Sequence, residues 1–195
     1  MKQEKSLQAR GYPYDQTTRT RYITLIDLSK CRSGLDFGKG FYLTSSKEQA
    51  ESYVRAAVRK AKRRNLIHQS FSENDGKISV FEFHSSPDLF IHCFEDADEE
   101  WLHFTACNRN SSLFPALRKK YSSVDIIGGK VADDQTAITL NNYVAGVFGE
   151  PGSLEADRMA IRLLEPERLT DLFCFRTEEA ISSLKYVRSY RYGDI

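Results

Sequence analysis

Asp36-Phe37-Gly38-Lys39-Gly40-Phe41-Tyr42-Leu43-Thr44, followed by Ser45-Ser46-Lys47-Glu48-Gln49-Ala50-Glu51-Ser52-Tyr53, decides how this chain is read. A turn bent by two glycines leads into the short strand "FYLT", and an amphipathic helix follows. Ser46 is placed to cap that helix, with Gln49 three residues on to complete a capping box. The strand and the helix each carry a tyrosine, Tyr42 and Tyr53, eleven residues apart. Two aromatic faces so arranged can grip a flat heterocycle, at roughly 0.5–1.5 kcal/mol per ring pair beyond simple burial. The same spacing also suits plain core packing. Gly38 and Gly40 let the backbone turn sharply and let a ligand approach its amides, or simply serve a tight loop. Lys39 between them is placed to meet a phosphate, or to stay in solvent.

Outward from this stretch, short strands and helices alternate irregularly, which predicts an α+β domain. Residues 1–20 are polar and broken by Gly11 and Pro13, and read as a flexible arm, leaving 21–195 as one domain. "RYITLIDLS" (21–29) predicts a first strand from its β-branched residues. The helix after Ser46 is expected to bury Ala50, Tyr53, Val54, Ala57 and Ala61, and it ends in the basic run Arg59–Arg64. "KISVFEFH", "DLFIHCFED", "SVDIIGGKV" and "DLFCFRT" read as strands. "DADEEWLHFTACNRN" is predicted to be a helix with Trp101, Leu102 and Thr105 inward. "ADDQTAITLNNYVAGVF" and "LEADRMAIRLLE" are further helices, the second stopped by Pro166. "EEAISSLKYVRSYR" closes the chain as helix or strand. Asp133, Asp134 and Thr136 form either a helix cap or a substrate-side surface.

Bulk properties exclude several classes. The chain has 195 residues, 41% hydrophobic and 28% charged, with a net charge of +1, so no overall field draws it to nucleic acid or membrane. Cys31, Cys93, Cys107 and Cys174 are scattered, with no C-x-x-C pair and no disulfide pattern. Cys174, in the apolar run "LFCF", reads as a buried small hydrophobe. His84, His92 and His103 lack metal-ligand spacing, so no metal site is expected. The acidic run Glu95–Glu100 has no calcium-loop pattern. No stretch approaches the roughly 20 apolar residues of a membrane span, and the N-terminus lacks the apolar core of a signal peptide. A cytoplasmic protein is expected.

The segment around Tyr42 resembles the nicotinamide-binding strand and helix of ADP-ribosyltransferases of the diphtheria-toxin and poly-ADP-ribose-polymerase type, the His-Tyr-Glu branch. More closely, "SGLDFGKGFYLT", "FEDADEEWLHF…NRN", "DIIGGKVADDQT" and "EPERLTDLFCFRTEEAISSLKYV" resemble the bacterial DUF3990 family, assigned to that superfamily, over about residues 27–190. The resemblance implies a split, mostly antiparallel sheet with flanking helices and NAD as cofactor. It places Tyr42 and Tyr53 around the nicotinamide, with Gly38, Lys39, Gly40 and Phe41 beside it. It further implies a mono-ADP-ribosyltransferase-like function, the toxin of a bacterial toxin–antitoxin or conflict system, and hence a small antitoxin partner. The alternative is a catalytically silent domain of the same fold that binds a nucleotide or a protein; nucleic-acid contact through Arg59–Arg64 ranks last.

Two of the three signature positions depart from the family. Relatives carry a strand like "LYHGS" about ten residues before an Asp-Leu-Ser. Here Asp27-Leu28-Ser29 is preceded by "YDQTTRTRYITLI", with no His. An ungapped match puts Thr17 there, with Arg19 and Arg21 nearby as arginine-type substitutes. In the late strand, Leu172 stands where relatives carry a polar residue. Asp171 is the adjacent candidate for a catalytic carboxylate, although neighbouring strand residues point to opposite faces.

Overall fold

The computed structural model describes residues 5–9, 25–131, 134–165 and 170–194. The elements run β1 (Lys5–Ala9), β2 (Phe41–Thr44), α1 (Lys47–Arg63), β3 (Lys77–Phe83), β4 (Ile91–Cys93), α2 (Glu99–Arg109), α3 (Pro115–Lys120), β5 (Ile126–Val131), α4 (Asp134–Val144), α5 (Leu154–Leu164), β6 (Thr170–Phe175), α6 (Glu178–Ser182) and β7 (Leu184–Arg191). The strands form one seven-stranded sheet in the order β4-β5-β6-β2-β1-β3-β7. Only β4 and β5 run parallel; every other pair is antiparallel. The fold is α+β, as expected. No helix among the described residues is long and apolar enough to cross a membrane.

The sheet is packed on both faces, and the period-two alternation of its strands assigns each residue to one of them. Tyr42, Ile127, Leu172 and Cys174 join Trp101, Phe104, Leu140 and Tyr143 in the larger core beneath α2, α4 and α5. Phe41, Leu43, Ile126 and Phe175 face the other way and meet Phe81 and Ala180. Phe81 lies edge-on between Phe41 and Tyr186, at 5.7 and 5.8 Å. Trp101 is fully buried, and its indole N–H donates to the Lys130 carbonyl at 3.0 Å, which ties α2 to the end of β5.

Several expectations change. Residues 5–9, assigned to a flexible arm, lie in the sheet between two neighbours: Leu7 is opposite Phe81, and Gln8 is opposite both Val80 and Thr44. A polar segment becomes a strand because β3 pairs it from Lys5 to Gln8 and β2 takes over at Gln8 and Ala9, which outweighs weak propensity. The predicted strand at 21–29 is absent from its described part. Asp27 Oδ1 instead accepts from the Ser29 N–H at 2.9 Å and starts a turn of 3-10 helix at Leu28–Lys30. Residues 21–24, and Pro166 at the end of α5, lie outside the described residues. Ser46 caps α1 by accepting from the Gln49 N–H at 3.1 Å. Gln49 does not close the capping box, because its side chain meets the Thr44 hydroxyl, which accepts the Ser46 N–H at 3.1 Å. Ala50, Val54 and Val58 are the buried stripe of α1; Tyr53, Ala57 and Ala61 are half-buried. The closing segment is α6 followed by β7.

His92 packs its ring edge-on against Phe94 and tilted against Tyr121, both at 4.6 Å, and its Nε2 is buried without a hydrogen-bond partner. Burial lowers its pKa, with Lys120 adding to the effect and Glu100 opposing it. The unfolded chain therefore binds this proton more readily, from about pH 6.5 downward. Stability is fully present above that pH and falls as pH drops through it. Denaturant titrations at about pH 7.5 and about pH 5.5 are expected to show a loss at the lower pH that His92→Phe reduces; an equal loss in both proteins contradicts the assignment.

Candidate functional site

The loop that enters β2 is shaped by its glycines and held from one side by α2. Gly38 has φ +84°, a left-handed conformation, and its N–H closes a turn onto the Leu35 carbonyl at 2.9 Å. Gly40 runs so close to β6 that a Cβ there would lie 2.5 Å from Cys174 Sγ and 2.6 Å from the Phe175 carbonyl. Phe37 drops into the larger core, stacking on Phe94 and Phe104 at 6.4 Å each.

The C-terminal end of α2 supplies the clamp. Arg109 donates through Nε to Asp36 Oδ1 at 2.9 Å, and Nη2 bonds the same oxygen. Its Nη1 donates to Asn141 Oδ1 on α4 at 2.7 Å. The preceding Asn108 donates to the Asp36 carbonyl at 3.1 Å and to its own helix at Phe104 at 3.0 Å. Both partners of the ion pair are mostly buried. The "NRN" stretch thus builds the "DFG" turn, a link between segments some 70 residues apart that spacing does not show.

Tyr42 lies under this loop. It is 9% exposed, and its hydroxyl donates to the Gly38 carbonyl at 2.6 Å while accepting the Phe37 N–H at 3.2 Å. Burial above all, with the neighbouring Cys174, raises its pKa well above the usual tyrosine value. Cys174 is fully buried and its thiol is pushed up to about 12, chiefly by burial, so it is the inert hydrophobe expected. Tyr53 is half-buried on α1, and no ring contact joins it to Tyr42 among the described residues. Phe41 is buried on the opposite face of the sheet from Tyr42.

The loop forms one wall of a cleft of about 400 Å³. Its polar lining includes Ser29, Ser33, Lys39, Asn108, Arg118 and Arg176, and no carboxylate contributes among the described residues. Arg176 is braced by Nη1 bonds to the Tyr121 carbonyl at 2.6 Å and the Val124 carbonyl at 3.2 Å. Lys39 is exposed, and neither it nor Arg118 is engaged in an ion pair among the described residues. Three cations that form no ion pair among the described residues make this concavity electropositive. Gly38 and Lys39 were expected at a ligand site and line it; Arg118 and Arg176 had no sequence signal, because only folding brings residues 39, 118 and 176 together.

The late strand carries no acid into the larger core. Leu172 is 2% exposed within it. Asp171 pairs with Lys130 across β5 and β6, its Oδ1 3.1 Å from Nζ, with its side chain half exposed. β6 stays in unbroken register from Thr170 to Phe175, so no bulge rotates Asp171 toward Leu172. Arg21, Arg19, Thr17 and Asp133 lie outside the described residues; α4 starts at Asp134, and Thr136 is buried. No metal site was expected from the spacing of His84, His92 and His103. Glu99, His103 and Asp157, on α2 and α5, bring ligand-type atoms within 4.8 Å of one another. The intervals from 99 to 103 to 157 match no metal motif.

Residues 18–186 match the family described as "Protein of unknown function (DUF3990)". The chain belongs to this family. No curated protein and no solved structure matches it. Both sides of the clamp, "DFGKG" and "NRN", fall within the matched residues of this DUF3990 domain.

Removing one member of a largely buried ion pair leaves the other charge without compensation. Asp36→Ala is therefore expected to cost about 3 kcal/mol in a denaturant titration. In a double-mutant cycle, Arg109→Leu should then add little to Asp36→Ala. Full additivity of the two substitutions would show that they do not act as a pair.

Proposed function

We propose that this DUF3990 protein is an ADP-ribosyltransferase-like domain that binds NAD, and that its transfer chemistry is weak or lost. The electropositive cleft beside Gly38-Lys39 carries the reading. A pyrophosphate is a compact dianion, and Lys39, Arg118 and Arg176 offer it three cations, with hydroxyls and an amide alongside. The resemblance of "DFGKGFYLT" with Tyr53 to the nicotinamide-binding strand and helix of ADP-ribosyltransferases supports NAD over other phosphate esters. Tyr42 acts in this reading through the loop it supports, since its hydroxyl is already bound to Phe37 and Gly38.

Transfer demands more than binding. Breaking the bond between ribose and nicotinamide develops positive charge on the sugar, and a carboxylate or strong acceptor must be fixed beside it. Leu172 offers no acceptor, and Asp171 is paired with Lys130 on the other face. One observation favours an active enzyme instead. With the first strand at 5–9, the basic residue that follows it directly in sequence is Arg10, ahead of Gly11. In that second reading Arg10 replaces the family's first-strand histidine.

Calorimetric titration of NAD into the protein, with released nicotinamide assayed in the same samples, tests both. Binding without release is expected. In Lys39→Ala/Arg118→Ala the affinity should fall at least about tenfold, because each charged hydrogen bond is worth about 1.5–3 kcal/mol. Release that disappears in Arg10→Ala would establish the second reading. Failure of NAD to bind would overturn both.

A further inference from the structure

A second cleft, of about 590 Å³, opens between the start of α2 and α3. It is lined by Asp98, Glu99, Glu100 and His103 on one side and by Phe114 and Leu117 on the other. Among the described residues no lysine or arginine lines it, and Lys120 nearby is engaged with Glu100. The potential here is opposite in sign to that of the cleft beside Lys39, and it favours a cation.

At its inner end sits a set of ligand atoms built from two helices. Glu99 and His103 are four residues apart on α2, so they share one helix face. Asp157 comes from α5, which packs against α2, and only 3% of the residue is exposed. Its Oδ2 lies 2.8 Å from His103 Nε2. Its Oδ1 accepts from the Tyr143 hydroxyl and from the Gly152 N–H, the latter at 3.2 Å. The imidazole is held flat against Phe114, with ring centroids 4.0 Å apart and planes 12° apart. Both inner groups are thus oriented by a surrounding shell that fixes one carboxylate oxygen and leaves the other facing the imidazole. Glu99 is exposed, and among the described residues it makes no hydrogen bond or ion pair.

We propose that Glu99, His103 and Asp157 bind a divalent first-row transition-metal ion such as zinc. One imidazole and two carboxylates form a mixed nitrogen and oxygen donor set suited to such an ion rather than to magnesium or calcium. Bond lengths of about 2.0–2.2 Å to these donors put tetrahedral ligand atoms about 3.4 Å apart. The three donors already lie within 4.8 Å of one another, and the exposed Glu99 has the freedom to close the remainder. The ion takes the place of the direct contact between His103 Nε2 and Asp157 Oδ2 and ties α2 to α5. Three protein ligands leave a further coordination position open to water. This site is independent of NAD.

The test uses the full chain, freed of metal by chelator and dialysis. Zinc is titrated calorimetrically, and cobalt is added separately as a probe by visible absorption. One zinc per chain is expected, together with a raised melting temperature. Glu99→Gln should weaken binding at least about tenfold, and His103→Gln should abolish it along with the cobalt absorption band. Glu99 is exposed, so its variant folds even if His103→Gln does not. Absence of zinc binding overturns the proposal, as does wild-type affinity in either folded variant, which would place the ion on other groups.

Discussion

The Arg109 guanidinium on Asp36 is the interaction on which the rest of this site depends. The loop from Gly34 to Gly40 has little regular hydrogen bonding of its own, and it turns through a positive φ at Gly38. It would sample many conformations if it were tethered only at β2. The fork from Arg109 and the amide of Asn108 fix its start, the Phe37 ring anchors its middle, and Tyr42 ties Phe37 and Gly38 from below. The pair is mostly buried, and Arg109 spends its third nitrogen on Asn141, which links the loop to α4 as well. A lysine would not reproduce this, because it lacks the planar fork.

The clamp explains how one short segment belongs to both core and site. Its apolar residues, Phe37 and Phe41, are buried on opposite faces of the sheet, while Lys39 remains exposed at a cleft wall. Tyr42 shows the tension most clearly. At its position in β2 it reads as a stacking aromatic, yet the folded chain uses it as a buried strut. Electropositive character comes from Lys39 together with Arg118 on α3 and Arg176, the residue after β6. Arg176 is pre-set by two carbonyls, so the cleft keeps its shape and its charge together.

Much of the fold was legible because local signals agreed with tertiary need. Ser46 before α1 and the short apolar runs "FYLT" and "DLFCF" all mark elements that the structure contains. The first strand was misplaced because "ITLI" has strand propensity and "KSLQA" has little. The second pairs with β3 from Lys5 to Gln8 and with β2 at Gln8 and Ala9, whereas the described end of the first, Leu25 and Ile26, is not strand. Site legibility was poorer for a related reason. Lys39 and Gly38 stand out beside a glycine turn, whereas Arg118, Arg176, Asp36–Arg109 and His103–Asp157 are contacts across 50 or more residues, with no periodic trace. Asp171 could be judged from strand alternation alone, and its pairing with Lys130 follows that rule.

Amide hydrogen exchange, compared between the wild-type chain and Arg109→Leu, tests the clamp most directly. The Phe37 and Gly38 amides are hydrogen-bonded to Tyr42 and Leu35 and should be protected in the wild type. The account predicts that the substitution removes their protection while the β3–β7 ladder keeps most of its own. Unchanged protection in the loop, or an equal loss across the whole sheet, would contradict it.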